Sequence, residues 1–381
     1  MNDCLFFGSN QFPKLIENEP NKIRKPIQFK FENENEKQIK QISTSFSSTI
    51  FLFKNGKAIE YSSQNYSNPN PSKIRIEESI QKVTVGGDNV AILTIEGNVF
   101  TRGRDINYKN PKEFINISSL IEDKNDRIIQ DIIPGAKSIY LLTSNQNAYG
   151  IGSNYNGQLG FDSEKLKKTE KPILMMKNVS KISSGNSSSQ VFLLNLNQEL
   201  FVSGYNYYGQ FGLGYTIKER KINKLTKIQN IPKGKIIDIQ CGTNNSIMLI
   251  EDENQNENPK RKLYSCGNYR FNGFGKDENT YEFTEIKSSL FENDDNILDF
   301  SVGFSHTLIL TSKGKLIGFG NNSYGQLGIG DTKHQLIPTQ IEVPKLRFNE
   351  DISNYHVLCG NQKSFLYYSP SLSFFPILKK I

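Results

Sequence analysis

The stretch GFGNNSYGQLGIGD at residues 318–331 decides the fold, because the rest of the chain repeats it in weaker copies. YGIGSNYNGQLGFD occupies residues 149–162 and VSGYNYYGQFGLGY residues 202–215. Worn versions in the same frame are YSCGNYRFNGFGKD at 264–277 and LFFGSN at 5–10. A short strand ending in Gly, Asn and a Gly-x-x-Gly turn is a backbone device before it is a chemical one. Its glycines supply positive φ, or close approach, where a strand turns sharply against its neighbour. In the three best copies these structural glycines are Gly152, Gly157 and Gly160, then Gly204, Gly209 and Gly212, then Gly320, Gly325 and Gly328.

A second landmark sets the period. A glycine precedes the second apolar run of each unit at Gly86, Gly135, Gly185, Gly242, Gly303 and Gly360, with Ser45 in its place in the first unit. The seven landmarks are spaced 41, 49, 50, 57, 61 and 57 residues apart, and recurrence of this kind identifies a repeat architecture. Between them lie short alternating or β-branched apolar runs punctuated by Gly, Asn and Ser, without helical periodicity, so the repeat is all-β. Four strands fit each unit, in the best copy about 297–302, 307–310 and 316–319 followed by a fourth that opens at Pro338. The hairpins FKNGK, TIEGN, TSNQN and TSKGK carry the Asn and Gly of tight turns. The fourth strand often opens with a proline, at Pro26, Pro71, Pro111, Pro172 and Pro338; proline has no N–H for a ladder, which marks that strand as the outer one. The chain starts in a third strand and ends in a second, so joining the two ends makes one composite blade and leaves no long open edge. The expectation is a seven-bladed β-propeller of four-stranded blades, one domain over 1–369. Its closing blade is shared by about 4–30 and 351–369, with a tail at 370–381.

The pattern Gly-x-Ser/Phe-His-Thr, an apolar strand, a Gly-bearing hairpin, x-Gly-x-Asn and Gly-Gln-Leu-Gly resembles the repeat of the regulator of chromosome condensation family. The copies at 303–331 and 135–162 match its second half, the copy at 185–215 has Phe211 for Leu, and the register extends over roughly residues 4–369. The first two units lack the Gly-Gln-Leu-Gly turn. Kelch and WD repeats have related periods but call for a recurrent Trp, and this chain has none. The resemblance implies two roles: an interaction platform or structural subunit, or an exchange factor for a small GTPase of the Ran type. Family members of the second kind use a wedge-like insertion in one blade; the enlarged hairpin here, EDENQNENPKRK at 251–262, is charged, Asn-rich and without β-propensity.

Composition excludes several other classes. A formal charge of +7, from 46 basic and 39 acidic residues, permits an acidic partner without implying nucleic acid. His306, His334 and His356 have no acidic or Cys partner at ligand spacing, so no metal is expected. His306 reads as a histidine bonding backbone at a blade's inner end. Cys4, Cys241, Cys266 and Cys359 fall on apolar strand positions and read as buried filler. No nucleophile elbow or phosphate loop is present, and no carboxylate pair recurs in the loops to support a sugar-binding or lyase propeller; the reading is a non-enzyme without cofactor. No apolar run approaches membrane-spanning length and no signal segment opens the sequence, so a cytoplasmic or nuclear, non-secreted protein is expected.

The partner site expected from sequence lies in the polar loops after the Gly-x-x-Gly turns of two adjacent units. One carries Lys165, Lys167, Lys168 and Lys171; the next carries Lys218, Arg220, Lys221 and Lys224, with Lys227 beyond. Equivalent loops of neighbouring blades share a face, so the two sets would merge into one positive patch for an acidic protein surface, nucleic acid or anionic lipid.

Overall fold

The computed structural model describes residues 4–11, 14–31, 38–63, 71–106, 110–214, 220–252, 259–291, 295–343 and 352–369. Seven four-stranded antiparallel sheets form a seven-bladed β-propeller, with blades 1 to 6 opening in chain order at Ile39–Thr44, Ile80–Gly86, Ile129–Pro134, Val179–Ser183, Lys235–Cys241 and Ile297–Val302, and a closing blade. Blade 6 shows the plan: Ile297–Val302, His306–Thr311, Leu316–Gly320 and Gln335–Ile341 pair in chain order from the axis outward. The closing blade has the order Lys22–Gln28, Cys4–Ser9, Lys363–Tyr368, Tyr355–Cys359, so the two ends of the chain are hydrogen-bonded into one sheet. The turn between first and second strands and the loop between third and fourth lie on one face of the disc, the turn face. The hairpins between second and third strands lie on the other.

Each position of the repeated loop has a structural role. Asn154, Asn206 and Asn322 are buried, and their side-chain carbonyls accept from the backbone N–H of Leu159, Phe211 and Leu327 at 2.8, 2.9 and 2.8 Å. Gln158, Gln210 and Gln326 accept from the N–H two residues before them, at 3.0, 3.0 and 2.9 Å. The loop's own backbone is thus satisfied from within, and Leu159, Phe211 and Leu327 go into the core with no exposed surface. The first glycine of the turn then meets the next blade. Gly325 has φ +80°, and a Cβ there would lie 2.7 Å from the carbonyl oxygen of Ile23 in the closing blade. The period-setting glycine works differently: Gly303 lacks positive φ, but a Cβ would lie 2.3 Å from the Gly360 carbonyl of the next blade. Close approach between blades is what requires a glycine there.

Where the Gly-Gln-Leu-Gly turn is missing, other groups fill the seam. Between the closing blade and blade 1, Phe6, Phe365, Phe51 and Phe29 form a continuous aromatic cluster with centroid separations of 5.2, 5.9 and 5.0 Å; such contacts contribute about 1 kcal/mol each beyond area burial. Between blades 1 and 2, buried Glu60 is paired with Arg102, whose guanidinium also lies 5.0 Å from the Phe114 ring centre. Between blades 2 and 3, Ile106, Ile117 and Ile121 complete the core.

The fourth strands depart from the sequence expectation. They begin ahead of the proline, at Lys22, Lys168 and Gln335, and Pro26, Pro172 and Pro338 sit inside them at a register shift. A bulge is where a ladder needs no N–H, so it accepts the proline. In blade 1 Pro71 does precede its strand, Ser72–Ile74.

Candidate interaction surface

Register places the expected cations at equivalent positions of two adjacent blades. The N–H of Asn154 donates to the Lys167 carbonyl at 2.8 Å, and that of Asn206 to the Arg220 carbonyl at 2.9 Å. Lys168 pairs with Ser153 and Lys221 with Tyr205 at the start of the two fourth strands. Ile173 and Thr226 then resume the ladder beyond equivalent bulges, which leaves Lys171 and Lys224 at the same position. Lys167 and Arg220, Lys168 and Lys221, and Lys171 and Lys224 therefore hold equivalent positions in the adjacent blades 3 and 4. The seam is bridged by Lys221, whose Nζ lies 2.7 Å from Ser163 Oγ and 3.1 Å from Glu164 Oε1. Among the described residues, Lys221 is the one member of this set in an ion pair. Lys165, Lys167, Lys171, Arg220 and Lys224 are exposed and Lys168 is half-buried. Lys218 lies outside the described residues. Lys227 faces away from the patch's loops and pairs with Glu199 at 2.5 Å.

Sequence reasoning missed the aromatic part of this surface. Tyr155 and Tyr207 follow the loop asparagine in the same frame and are 61% and 47% exposed. The Arg220 guanidinium lies over Tyr207, 4.8 Å from its centre, and Tyr208 and Tyr205 contact the same ring at 4.9 and 6.3 Å. The signal was a Tyr immediately after Asn in three adjacent units, at 154–155, 206–207 and 268–269.

The first strands surround an axial cavity of about 530 Å³. Four residues before the landmark, they place a ring of Gln41, Lys82, Asp131, Lys181, Asp238, Asp299 and His356. Lys82 pairs with Asp131 at 2.5 Å, Lys181 with Asp238, and His356 with Asp299 at 3.4 Å. Burial raises the pKa of Asp299, and the adjacent His356 opposes the shift. The ring also seals the seams. Gln41 accepts from Val83 N–H of the next blade, Asp299 from Val357 N–H, and two residues on Ser43 and Ser301 accept from Val85 and Cys359, at 3.0, 3.0, 3.0 and 2.9 Å. These polar residues satisfy inner-edge donors that would otherwise be orphaned. The turn of blade 4, two residues longer than that of blade 6, roofs the cavity on the turn face. Asn186 donates to the Thr44 carbonyl at 2.6 Å and accepts from Gly87 N–H at 2.9 Å, and Ser187 reaches Asn361 at 2.5 Å.

The histidines and cysteines are accounted for by packing. His306 Nε2 lies 2.8 Å from Ser364 Oγ, and burial lowers its pKa to about 3 against a backbone hydrogen bond at Lys363. His334 Nδ1 accepts from Asn322 N–H at 3.0 Å. All four cysteines are buried, with thiol pKa values pushed up by desolvation. Among the described residues no His, Cys, Asp and Glu group could hold a metal, and no helix is long and apolar enough to cross a membrane.

Comparison with known proteins agrees with the repeat geometry. The model of the regulator of chromosome condensation (RCC1) repeat matches residues 297–326 and 313–366. Residues 297–366 thus carry repeats of the regulator of chromosome condensation type, within a propeller of the same kind. It is 24% identical over 333 residues to the mouse serine/threonine-protein kinase Nek9, covering 77% of this chain and 30% of that protein. This regulator-type propeller therefore spans about a third of the length of the curated relatives it matches first. Among solved structures, human WBSCR16 superposes with a TM-score of 0.78 at 16% identity, covering 98% of this chain and 100% of that one. Prp20p from Saccharomyces cerevisiae gives 0.79 at 17% identity, with 98% and 92% covered. Within the family frame the enlarged blade 5 hairpin is clamped at its base by Arg261 and Glu251, 3.0 Å apart, while residues 253–258 lie outside the described residues.

Proposed function

We propose that this propeller, acting as one unit over residues 1–369, is a non-catalytic protein-interaction platform or the structural subunit of a larger assembly in the cytoplasm or nucleus. It engages an acidic partner through the turn face of blades 3 and 4. The observation that carries the reading is the matched set Lys167/Arg220, Lys168/Lys221 and Lys171/Lys224, in which five of the six cations have no ion-pair partner among the described residues. The strands holding them are secured by backbone ladders, and Lys221 alone of the six is tied across the seam by an ion pair among the described residues. Long cations held close together repel, so an anionic surface that meets both loops gains from both.

A second reading, nucleotide exchange on a small GTPase of the Ran type, is supported by likeness of fold to Prp20p, whose structure was described with its binding to Gsp1p and histones. Exchange works by binding the nucleotide-free GTPase more tightly than the loaded one and requires no nucleophile. The test is nucleotide release from purified small GTPases, Ran included, with this protein at substoichiometric amounts. The platform reading predicts release at the intrinsic rate. Acceleration with turnover overturns it in favour of exchange.

A further inference from the structure

Arg220 is held differently from the lysines around it. Its guanidinium lies over the Tyr207 ring at 4.8 Å, and Tyr205 and Tyr208 pack on that same ring. Its main-chain carbonyl is fixed by Asn206 N–H at 2.9 Å, and the residue is exposed. A stacked guanidinium has its plane occupied and its N–H edge open, which is the geometry for a bidentate bond to a carboxylate. Holding it in advance reduces the entropy lost on binding. Lys167, its counterpart one blade away, is an exposed point charge whose main-chain carbonyl is held by the N–H of Asn154, the residue before the open ring of Tyr155. The two loops abut through Lys221, Ser163 and Glu164. The surface is thus two copies of one aromatic–cation module, a directional one on blade 4 and a loose one on blade 3.

Resting on the platform reading above, we propose that the module pair reads one extended acidic polypeptide segment running across the seam, with one carboxylate chelated by Arg220 and a second held by Lys167 and Lys168. Packed sheets lie about 10 Å apart, and an extended chain covers that distance in about three residues. The segment therefore carries acidic residues three to four apart. Nucleic acid fits less well. Tracking a single strand takes successive open aromatic faces, and with the Tyr207 ring already contacted by Arg220, Tyr205 and Tyr208 the pair of loops offers the Tyr155 face alone.

The test is fluorescence anisotropy of the full chain with labelled twelve-residue peptides and a labelled dT12 oligonucleotide at about 0.15 M salt. One peptide has two Glu pairs three residues apart; the other has one pair. The two-pair peptide is expected to bind about tenfold more tightly than the single-pair peptide and more tightly than dT12. Arg220→Gln and Arg220→Lys should each weaken it about tenfold, because both lose the fork and the stack, whereas Lys167→Gln should remove most of the preference for two pairs over one. Unchanged thermal unfolding of the variants separates lost binding from lost fold. Equal binding of both peptides, insensitivity to Arg220→Lys, or tighter binding of dT12 overturns the inference. A cellular partner whose capture is unaffected by Arg220→Lys leaves the platform reading standing and this one refuted.

Discussion

Lys363 offers a test of how the ring is closed. It opens the second strand of the closing blade, the place His306 holds in blade 6, and is 1% exposed. Its Nζ lies 3.5 Å from the Phe46 carbonyl of blade 1, and burial lowers its pKa from 10.5 to about 7. Between those values the unfolded chain holds a proton that the folded chain has released. Stability therefore rises with pH across this window, by at most about 1.4 kcal/mol per unit, and the cost of the buried charge is fully present below pH 7. The full window corresponds to about 5 kcal/mol; relaxation around the ammonium and its bond to the Phe46 carbonyl reduce the usable figure to about 2 kcal/mol. Lys363→Met keeps the apolar stem and removes the charge. At pH 7 the variant should be more stable by about 2 kcal/mol, and its urea midpoint should stay flat from pH 7 to 9 where the wild type climbs. Far-UV circular dichroism is the assay, since the chain has no Trp. Parallel pH profiles, or a variant less stable at pH 7, would refute the reasoning.

Two further substitutions probe the repeat device. Gly325→Ala combines a φ of +80° with a Cβ 2.7 Å from the Ile23 carbonyl oxygen, so it should cost about 3 kcal/mol in denaturant unfolding. Asn154→Ala removes the acceptor for Leu159 N–H and the donor to the Phe161 and Leu166 carbonyls. It should cost about 2–3 kcal/mol and speed amide exchange at Leu159.

The strands were readable because each depends on local chemistry: apolar runs of period two, Asn–Gly hairpins and a landmark recurring in every blade. Closure by the two ends was readable from the missing strands alone, and the composite sheet of Cys4–Ser9 with Lys363–Tyr368 is present. The fourth strands were misplaced by three or four residues because proline was read as a start, whereas Pro172 and Pro338 sit in bulges that only pairing reveals. The axial ring of Lys82, Asp131, Lys181, Asp238, Asp299 and His356 was not legible. A polar residue recurs four positions before the landmark in every unit, but only the closed ring makes Lys82 and Asp131, 49 apart in sequence, neighbours. The lysine loops were legible as charge, but their matching into pairs depends on strand register. The stack of Arg220 on Tyr207 depends on side-chain placement that no spacing encodes.

The central claim, that partners are held by the turn face of blades 3 and 4, is tested most directly by quantitative pull-down from the protein's own cell extract. Wild type is compared with a variant carrying Lys167→Glu, Lys168→Glu, Arg220→Glu and Lys224→Glu, which leaves the Lys221–Glu164 bridge in place. The account predicts a partner retained by the wild type at about 0.15 M salt, released as salt rises, and lost by a variant that melts normally. A partner held equally by both proteins would contradict it.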